Sequence, residues 1–496
     1  MTHSRFVVVA CLGLGLVPFA FSPYRALAQR SNYPLARVPK LLQLLDSDGF
    51  ESQRGGFMVL DAVENACTGK IPSTWYNNVQ PYLVTKLPGA IQDPIPWETT
   101  KRVLPPAYFL RQDEAVLLVG STPPPMAYFS FQTFLLARYN PKTLGYDPNA
   151  GGFFRPYEMP FSYVGDTVNS LTIQTTGSTP YNRPMAVILT GHRKTQERLR
   201  AVLLAAGYPA AVINTETLPS SLIRLGYDNA DQFLFLMRTA LPVGGDAALD
   251  EYKSKVVDPQ VSPMRIFRVR PKAEFPKDPL PAPVLRARGT GHTEMDLYPA
   301  MEKLRQAILT RHAVGFTAEE LDTSVPVPEG YPAIQRGLAW LGPGREGSAG
   351  YGRDSNYLAS SWFDLPADAF AIVYGIDHAA TGKATYSSAA VYLDETLAIG
   401  VSGADSADFA KFPQSADSYL PGEPAAGKFY VWQVRRDCAG YSNCMEAKSL
   451  KPSCQGKVAP DAPVRIGFRA YAEPATKTGP ADVELLYDRV IVFRPE

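Results

Sequence analysis

The sequence predicts an α+β protein: two tandem, divergent, β-rich copies with mixed sheets and few helices, related by a pseudo-two-fold axis. Three observations predict it. First, "FLMRTALPVGGDAALDEYKSKVVDPQVSPMRIFRVRP" (235–271) and "IGFRAYAEPATKTGPADVELLYDRVIVFRP" (466–495) share their landmarks in order. Each has an apolar run closing on Arg (Arg238, Arg469), then Pro, Gly and Asp, an acidic–Tyr pattern, and a closing string "RIFRVRP" or "RVIVFRP". Second, upstream stretches from Asp113 and Asp368 align: an apolar strand, a Gly (Gly120, Gly375), a loop, an aromatic–Ser pair (Phe129-Ser130, Tyr386-Ser387) and a second apolar strand. Third, each half opens with one short helical segment, "PKLLQLLD" (39–46) and "PAMEKLRQAILTRH" (299–312). Self-similarity at long period marks a repeated unit, and short apolar runs between turn residues mark strands.

Along the chain, Arg5 precedes the apolar run "FVVVACLGLGLVPFAF" (6–21), and Ala26-Leu27-Ala28 has the small-x-small pattern of a signal peptidase site. The run is shorter than the ~20 residues a membrane span needs, so residues 1–28 read as a secretory signal peptide. Residues 36–271 form the first copy. It carries a strand–helix–strand unit, "MAVILT" (185–190), "KTQERLRAVLLAAG" (194–207) and "AAVINT" (210–215). Leu199, Val202, Leu203 and Ala206 share one helical face, and Gly207 stops the helix. Residues 272–292, Pro-rich and charged, read as a linker. The second copy, 297–495, replaces the helical unit with a cysteine-rich loop.

Composition excludes several functions. The chain has 49 cations against 48 acids, or 47 against 48 once Arg5 and Arg25 leave with the signal peptide. With no basic run, nucleic acid and anionic membrane are poor partners. Proline, at 45 of 496 residues, is nearly double the usual ~5% and predicts long ordered loops. Beyond the signal peptide remain Cys67, Cys438, Cys444 and Cys454. An even count in an exported protein predicts two disulfides, because the C-x5-C-x9-C spacing lacks the paired knuckles of structural zinc. Since three cysteines sit in one loop, Cys67 is expected to bridge to one of them. Secreted or periplasmic localisation follows.

Candidate chemistry comes from comparing the two halves. The loop after the first central strand, "STPPP" (121–125), has no ionisable group, whereas its counterpart "IDHAATGK" (376–383) has Asp377, His378 and Lys383. A shared fold does not require those groups, so the second loop is the expected site. His378 suits a general acid or base. Asp377 points to the other side of an extended chain, so the orienting carboxylate is expected from Asp354 or Glu473. Tyr386 is the expected proton donor or stacking ring, and Asp377, Lys383 and Lys477 are the expected substrate-binding groups. "GHRKTQERL" (191–199) reads as a solvated first turn of a helix. No phosphate-binding, dinucleotide, haem or zinc motif is present where it would be needed, so no cofactor and no metal are expected.

Two functions are compatible with this pattern. One is an exported enzyme, a hydrolase or lyase, acting on a small molecule or sugar chain by cofactor-independent acid–base chemistry. The other is a noncatalytic secreted or envelope protein that binds a small-molecule or carbohydrate ligand in a cleft between the halves. Convergence of His378, Asp354 and Glu473 in one cleft favours the enzyme, and their scatter favours the binder.

Overall fold

The computed structural model describes residues 34–69, 77, 80, 82–88, 107–139, 157–158, 162–323, 325–326, 352–411 and 414–496. The expected signal peptide (1–28) lies outside them. The described chain is β-rich with mixed sheets and few helices, as an α+β reading requires.

The first half contributes β1 (Phe50–Arg54), β2 (Gly56–Val59), β3 (Leu83–Lys86), β4 (Ala115–Ser121), β5 (Met126–Tyr139), β6 (Tyr157–Glu158), β7 (Ser162–Tyr163), β8 (Val168–Asn169), β9 (Pro184–Thr190), β10 (Ile213–Thr217), β11 (Gln232–Pro242) and β12 (Met264–Pro271). Sheet I runs β1-β12-β4-β9-β10, and sheet II runs β2-β3-β11-β5-β6, with β7 and β8 also on β5. The second half contributes β13 (Phe316–Glu320), β14 (Val325–Pro326), β15 (Ser355–Ala359), β16 (Phe370–Ile376), β17 (Tyr386–Leu393), β18 (Ile399–Asp405), β19 (Phe429–Arg435), β20 (Cys444–Glu446), β21 (Val464–Tyr471) and β22 (Arg489–Pro495). Sheet III runs β14-β15-β21-β17-β18, and sheet IV runs β13-β22-β16-β19-β20. In each outer sheet the half's last strand lies second, and the edge strand pairs parallel with its neighbour (β9 with β10, β19 with β20).

The order of layers follows from which residues alternate inward. Leu117, Val119 and Ile188 of sheet I face the helices Val38–Ser47 and Arg193–Ala206, while Val116, Leu118 and Val187 face sheet II. The other face of sheet II packs on sheet III, joining Tyr128, Leu234 and Leu236 to Tyr357, Tyr386 and Tyr471. Sheet III packs on sheet IV through Ala389, Val391, Ile466 and Val492. Ile372 and Ile491 of sheet IV then meet Met301, Leu304 and Ile308 of the helix Tyr298–His312. The central strands are covered on both faces. This is why β4, β16 and β17 are buried at every position and read as continuous apolar runs.

The strand–helix–strand unit forms where expected, and Gly207 closes its helix at φ 98°. His192 differs from the solvated turn expected of "GHRKTQERL". It is buried and caps the helix, accepting from the Thr195 amide, while Arg193 and Lys194 remain exposed. The residues 272–292 lie as a strap held at intervals: Leu280 N bonds Gly191 O, Arg286 N bonds Asp166, and Thr290 and Gly291 both donate to Glu484. Two disulfides form, Cys67–Cys454 across the halves and Cys438–Cys444 within the loop between β19 and β20. Among the described residues no helix is long and apolar enough to cross a membrane.

Candidate functional site

The loop after β16 is a closed ionic network. His378 is 4% exposed, and its Nδ1 lies 3.0 Å from both Glu294 carboxylate oxygens. Its Nε2 is 3.7 Å from Asp488 Oδ2. Glu294 also accepts from Thr381 Oγ1 (2.5 Å) and from the Leu486 amide (3.0 Å). Burial alone would lower the imidazole pKa, but the Glu294 charge and the Asp488 carboxylate outweigh it and push His378 up to about 10. Burial would raise Glu294, and the facing imidazolium holds it below the usual carboxylate range instead. Gly375 is required here, because a Cβ at that position would strike the Asp488 carboxylate, which also accepts from Tyr430 OH at 2.8 Å.

Lys383 forms a second such network. Its Nζ is 2.6 Å from Glu484, 3.0 Å from Glu473 and 3.0 Å from Thr290 Oγ1. Burial would lower the amine, but the two carboxylates raise it. Burial would likewise raise Glu484. Lys383 and the Thr290 and Gly291 amides instead bring it down to about 2. Asp377 turns away from His378 and accepts from Ser387 Oγ and the Ala379 amide, both at 3.0 Å; burial raises its carboxyl. Lys477 is exposed, at φ 59° in the turn that follows Glu473.

The other two expected catalytic residues lie elsewhere, at the seam between sheets II and III. Asp354 accepts from Tyr128 OH (2.5 Å) and Asn169 Nδ2 (3.2 Å), and sits 3.9 Å from Arg238 Nη1. Tyr386 accepts from Asn77 Nδ2 (3.2 Å), and burial raises its phenol. The expected convergence does not occur: His378 pairs with Glu294 and Asp488, Glu473 with Lys383, and Asp354 with Tyr128. Two open surface cavities, about 430 and 600 Å³, are lined by residues near 170–180 and by 320–323 with 482–490; none of the four lines either.

The seam holds groups that were not singled out as site residues. Strand register on sheet III places Tyr357 opposite Arg469, Arg469 opposite Ser388, and Ser388 opposite Asp405. On sheet II, Arg238 is opposite Ser130 and Ser130 opposite Asn169, with Arg238 over the Tyr82 ring at 5.4 Å. Each inner sheet thus carries a Tyr–Arg–Ser–Asx row into the seam. Opposite Arg469 stands Ser388, one residue on from Ser387, as Ser130 stands opposite Arg238. Neither arginine closes its strand: β11 runs on to Pro242 and β21 to Tyr471. Tyr471 joins the rows. Its hydroxyl is 3.4 Å from that of Tyr82 and 3.3 Å from that of Tyr357, and its ring lies 5.1 Å from both Tyr128 and Tyr386. Burial would raise the Tyr357 phenol, but Arg238 and Arg469 bring it below its ordinary value. Among the described residues no cluster of three or more His, Cys, Asp or Glu is arranged to hold a metal ion.

No family model matches the chain, and no curated protein matches it. Among solved structures, an uncharacterized protein from Burkholderia cenocepacia is similar at 11% identity, over 95% of this chain and 90% of that one, with a TM-score of 0.34. The VPA0106 protein from Vibrio parahaemolyticus is similar at 11% identity, over 88% of this chain and 99% of that one, also with a TM-score of 0.34. At that likeness neither bears on fold or activity.

Proposed function

We propose that this chain is an exported, noncatalytic ligand-binding protein whose site is the seam between sheets II and III. The observation that carries this reading is the pair of Tyr–Arg–Ser–Asx rows, which set two buried guanidinium groups and a ring of tyrosines where the two halves meet. Charged and hydroxyl groups in a sheet interface cost stability relative to apolar packing. Junctions between domains are favoured places for ligands. The ionic partners of His378 and Lys383 support the same reading, because an imidazolium titrating near 10 between two carboxylates is a poor acid or base at neutral pH.

We further propose that residues 36–271 and 297–495 are divergent copies about a pseudo-two-fold axis, joined by the strap 272–292. The repeated strand orders support this, as does the register that sets Arg238 opposite Ser130 and Arg469 opposite Ser388. An experimental structure whose halves fail to superpose on that register would remove the proposal. Export rests on the signal-like start and the two disulfides.

A panel of hydrolase and lyase substrates, assayed with wild type and His378→Ala, tests the binding reading. The expected result is no turnover from either protein and a lower melting temperature for the variant. Turnover that falls roughly 10²–10⁴-fold in His378→Ala would restore the acid–base enzyme. One observation keeps a different enzyme in view: the acidified Tyr357 phenol is a candidate general base within the seam. Seam-dependent turnover that survives His378→Ala would select it.

A further inference from the structure

Six polar atoms at the seam have no hydrogen-bond partner among the described residues: Asn77 Oδ1, Gln80 Oε1, Gln132 Oε1, Asp354 Oδ1 (3.9 Å from Arg238 Nη1), Ser130 Oγ and Ser388 Oγ. Their residues are between 0 and 4% exposed. Buried polar atoms are normally satisfied, so a concentration of unsatisfied ones calls for a cause. These six share a character. Gln132 Nε2 donates to Gly165 O, Gln80 Nε2 donates to Asp405, and Asn77 Nδ2 donates to Tyr386 OH. For both glutamines the partner is an acceptor, which fixes the amide orientation and leaves the carbonyl oxygen over. Four of the six atoms are therefore pure acceptors, and the other two are hydroxyls that both accept and donate. Two of them converge with Arg238 on Gly352: a Cβ there would point at Arg238 Nη1 and lie 3.1 Å from Asp354 Oδ1 and 3.2 Å from Gln132 Oε1.

We infer that the seam takes a neutral polyhydroxyl ligand, a small saccharide or a polyol, that donates its hydroxyl hydrogens to Asn77, Gln80, Gln132 and Asp354 and lays its C–H face on the seam tyrosines. The inference rests on the proposal that the seam is a binding site. Acceptors set beside two guanidinium groups call for a ligand whose hydroxyls both donate and accept. Arg238 and Arg469 beside them disfavour a cation. The carboxylates of Asp354 and Asp405, and the leftover carbonyl oxygens, disfavour an anion. The Tyr128, Tyr386 and Tyr471 rings, mutually tilted by 48–57°, supply apolar ring faces against which a sugar's C–H groups can pack. Because these groups are buried, uptake requires the two inner sheets to part locally, and association is expected below the usual 10⁵–10⁷ M⁻¹s⁻¹ of rigid docking.

The test is isothermal titration and saturation-transfer NMR of the purified protein with D-glucose, sucrose and sorbitol, with sodium citrate and ethylammonium as charged counterparts. Thermal shift is unsuitable for ligand detection, because excluded sugars stabilise any protein. At least one hydroxylated probe is expected to bind; glucose or sucrose without sorbitol assigns a ring saccharide, and sorbitol alone assigns a polyol. Gln132→Met should weaken binding about tenfold. Ser130→Ala and Ser388→Ala keep the fold safe: each should raise the melting temperature of the ligand-free protein and weaken binding by roughly fivefold, about 1 kcal/mol. A merely structural serine would not move both in that direction. Binding of citrate, lost in Arg469→Met, or of ethylammonium, lost in Asp354→Asn, in place of the sugars would overturn the ligand class and leave the seam as a site. Failure of all three hydroxylated probes would overturn the inference, and indifference of every probe to the seam variants would overturn the binding proposal as well.

Discussion

The loop after β16 and the seam between sheets II and III are both buried and rich in polar groups, yet they differ in how completely those groups are satisfied. Around His378 and Lys383 each cation lies between two carboxylates, and those carboxylates take further donors from Thr381, Leu486, Thr290 and Gly291. At the seam, carbonyl and hydroxyl oxygens are left over. A saturated network ties segments together: here it holds the residues 290–294, the loop 377–383 and the residues 473–488. Unsatisfied groups gain most when something else arrives. Ionisable residues in one half and absent from the other are thus explained here by the need to close a loop.

Four experiments break or sharpen this contrast. The largest effect is expected from Lys383→Met, which leaves Glu473 and Glu484 buried without their cation. Breaking one side of such a pair costs about 3–5 kcal/mol, so the urea midpoint should fall steeply. A change under 1 kcal/mol would show that the network is not structural.

The second uses pH. His378 has a folded pKa near 10 against an ordinary value of 6.5, so its stabilisation is complete below about pH 6.5 and is lost as pH rises toward 10. Wild type should lose roughly 1.4 kcal/mol per pH unit within that window. Glu216, raised by burial to about 8, adds a similar fall between its ordinary 4.5 and 8, so the comparison must be with a variant rather than with absolute slope. In His378→Gln the difference from wild type should shrink steadily between pH 7 and 10. Parallel curves would contradict the ion-pair assignment.

The third turns to the first half, which holds the opposite case. Lys253, on the helix Gly245–Val257, is 3% exposed, and its Nζ has no hydrogen-bond partner among the described residues. Burial lowers the amine to about 8, with only partial compensation from Asp250 and Asp246. Its folded pKa is depressed, so the penalty is complete below pH 8 and fades as pH rises to 10.5. Lys253→Met should therefore stabilise by about 2–3 kcal/mol at pH 7 and less at pH 10. Destabilisation at pH 7 would mean that the amine has a partner in solution.

The fourth compares the two disulfides, of which the short one is expected to give the smallest effect. Cys438–Cys444 closes a short loop, and replacing both with alanine should cost about 2 kcal/mol in the chain-entropy model. The Cys67–Cys454 pair spans 387 residues, and by the same model its loss should cost about twice as much or more. Equal effects on the denaturation midpoint would indicate that the two halves stay associated in the unfolded ensemble.

Sequence by itself determined the strands, the helices and the need for two disulfides. These follow from short-range rules: apolar runs, Gly and Pro stops, and an even cysteine count. The strand–helix–strand unit at 184–217 and the helix Tyr298–His312 formed as patterned. The site was only partly legible. Asp354 and Tyr386 lie at the seam and His378 and Lys383 in the ionic network, whose carboxylates Glu294, Glu484 and Asp488 lie some 80–110 residues away in the chain. Glu294 sits where a helix is about to start, and a carboxylate there reads as ordinary capping. A signal for the seam did exist: an arginine inside an otherwise apolar strand, "FLFLMRTAL" and "IGFRAYA", which is costly unless partnered. It reads as a strand end because alternation along one strand does not reveal what faces it. Only the tertiary structure decided that two inner sheets meet face to face, that Arg238 and Arg469 point into that interface, and that His378 is closed in by carboxylates. Facing and partnering depend on contacts between segments remote in sequence, and local periodicity carries no record of them.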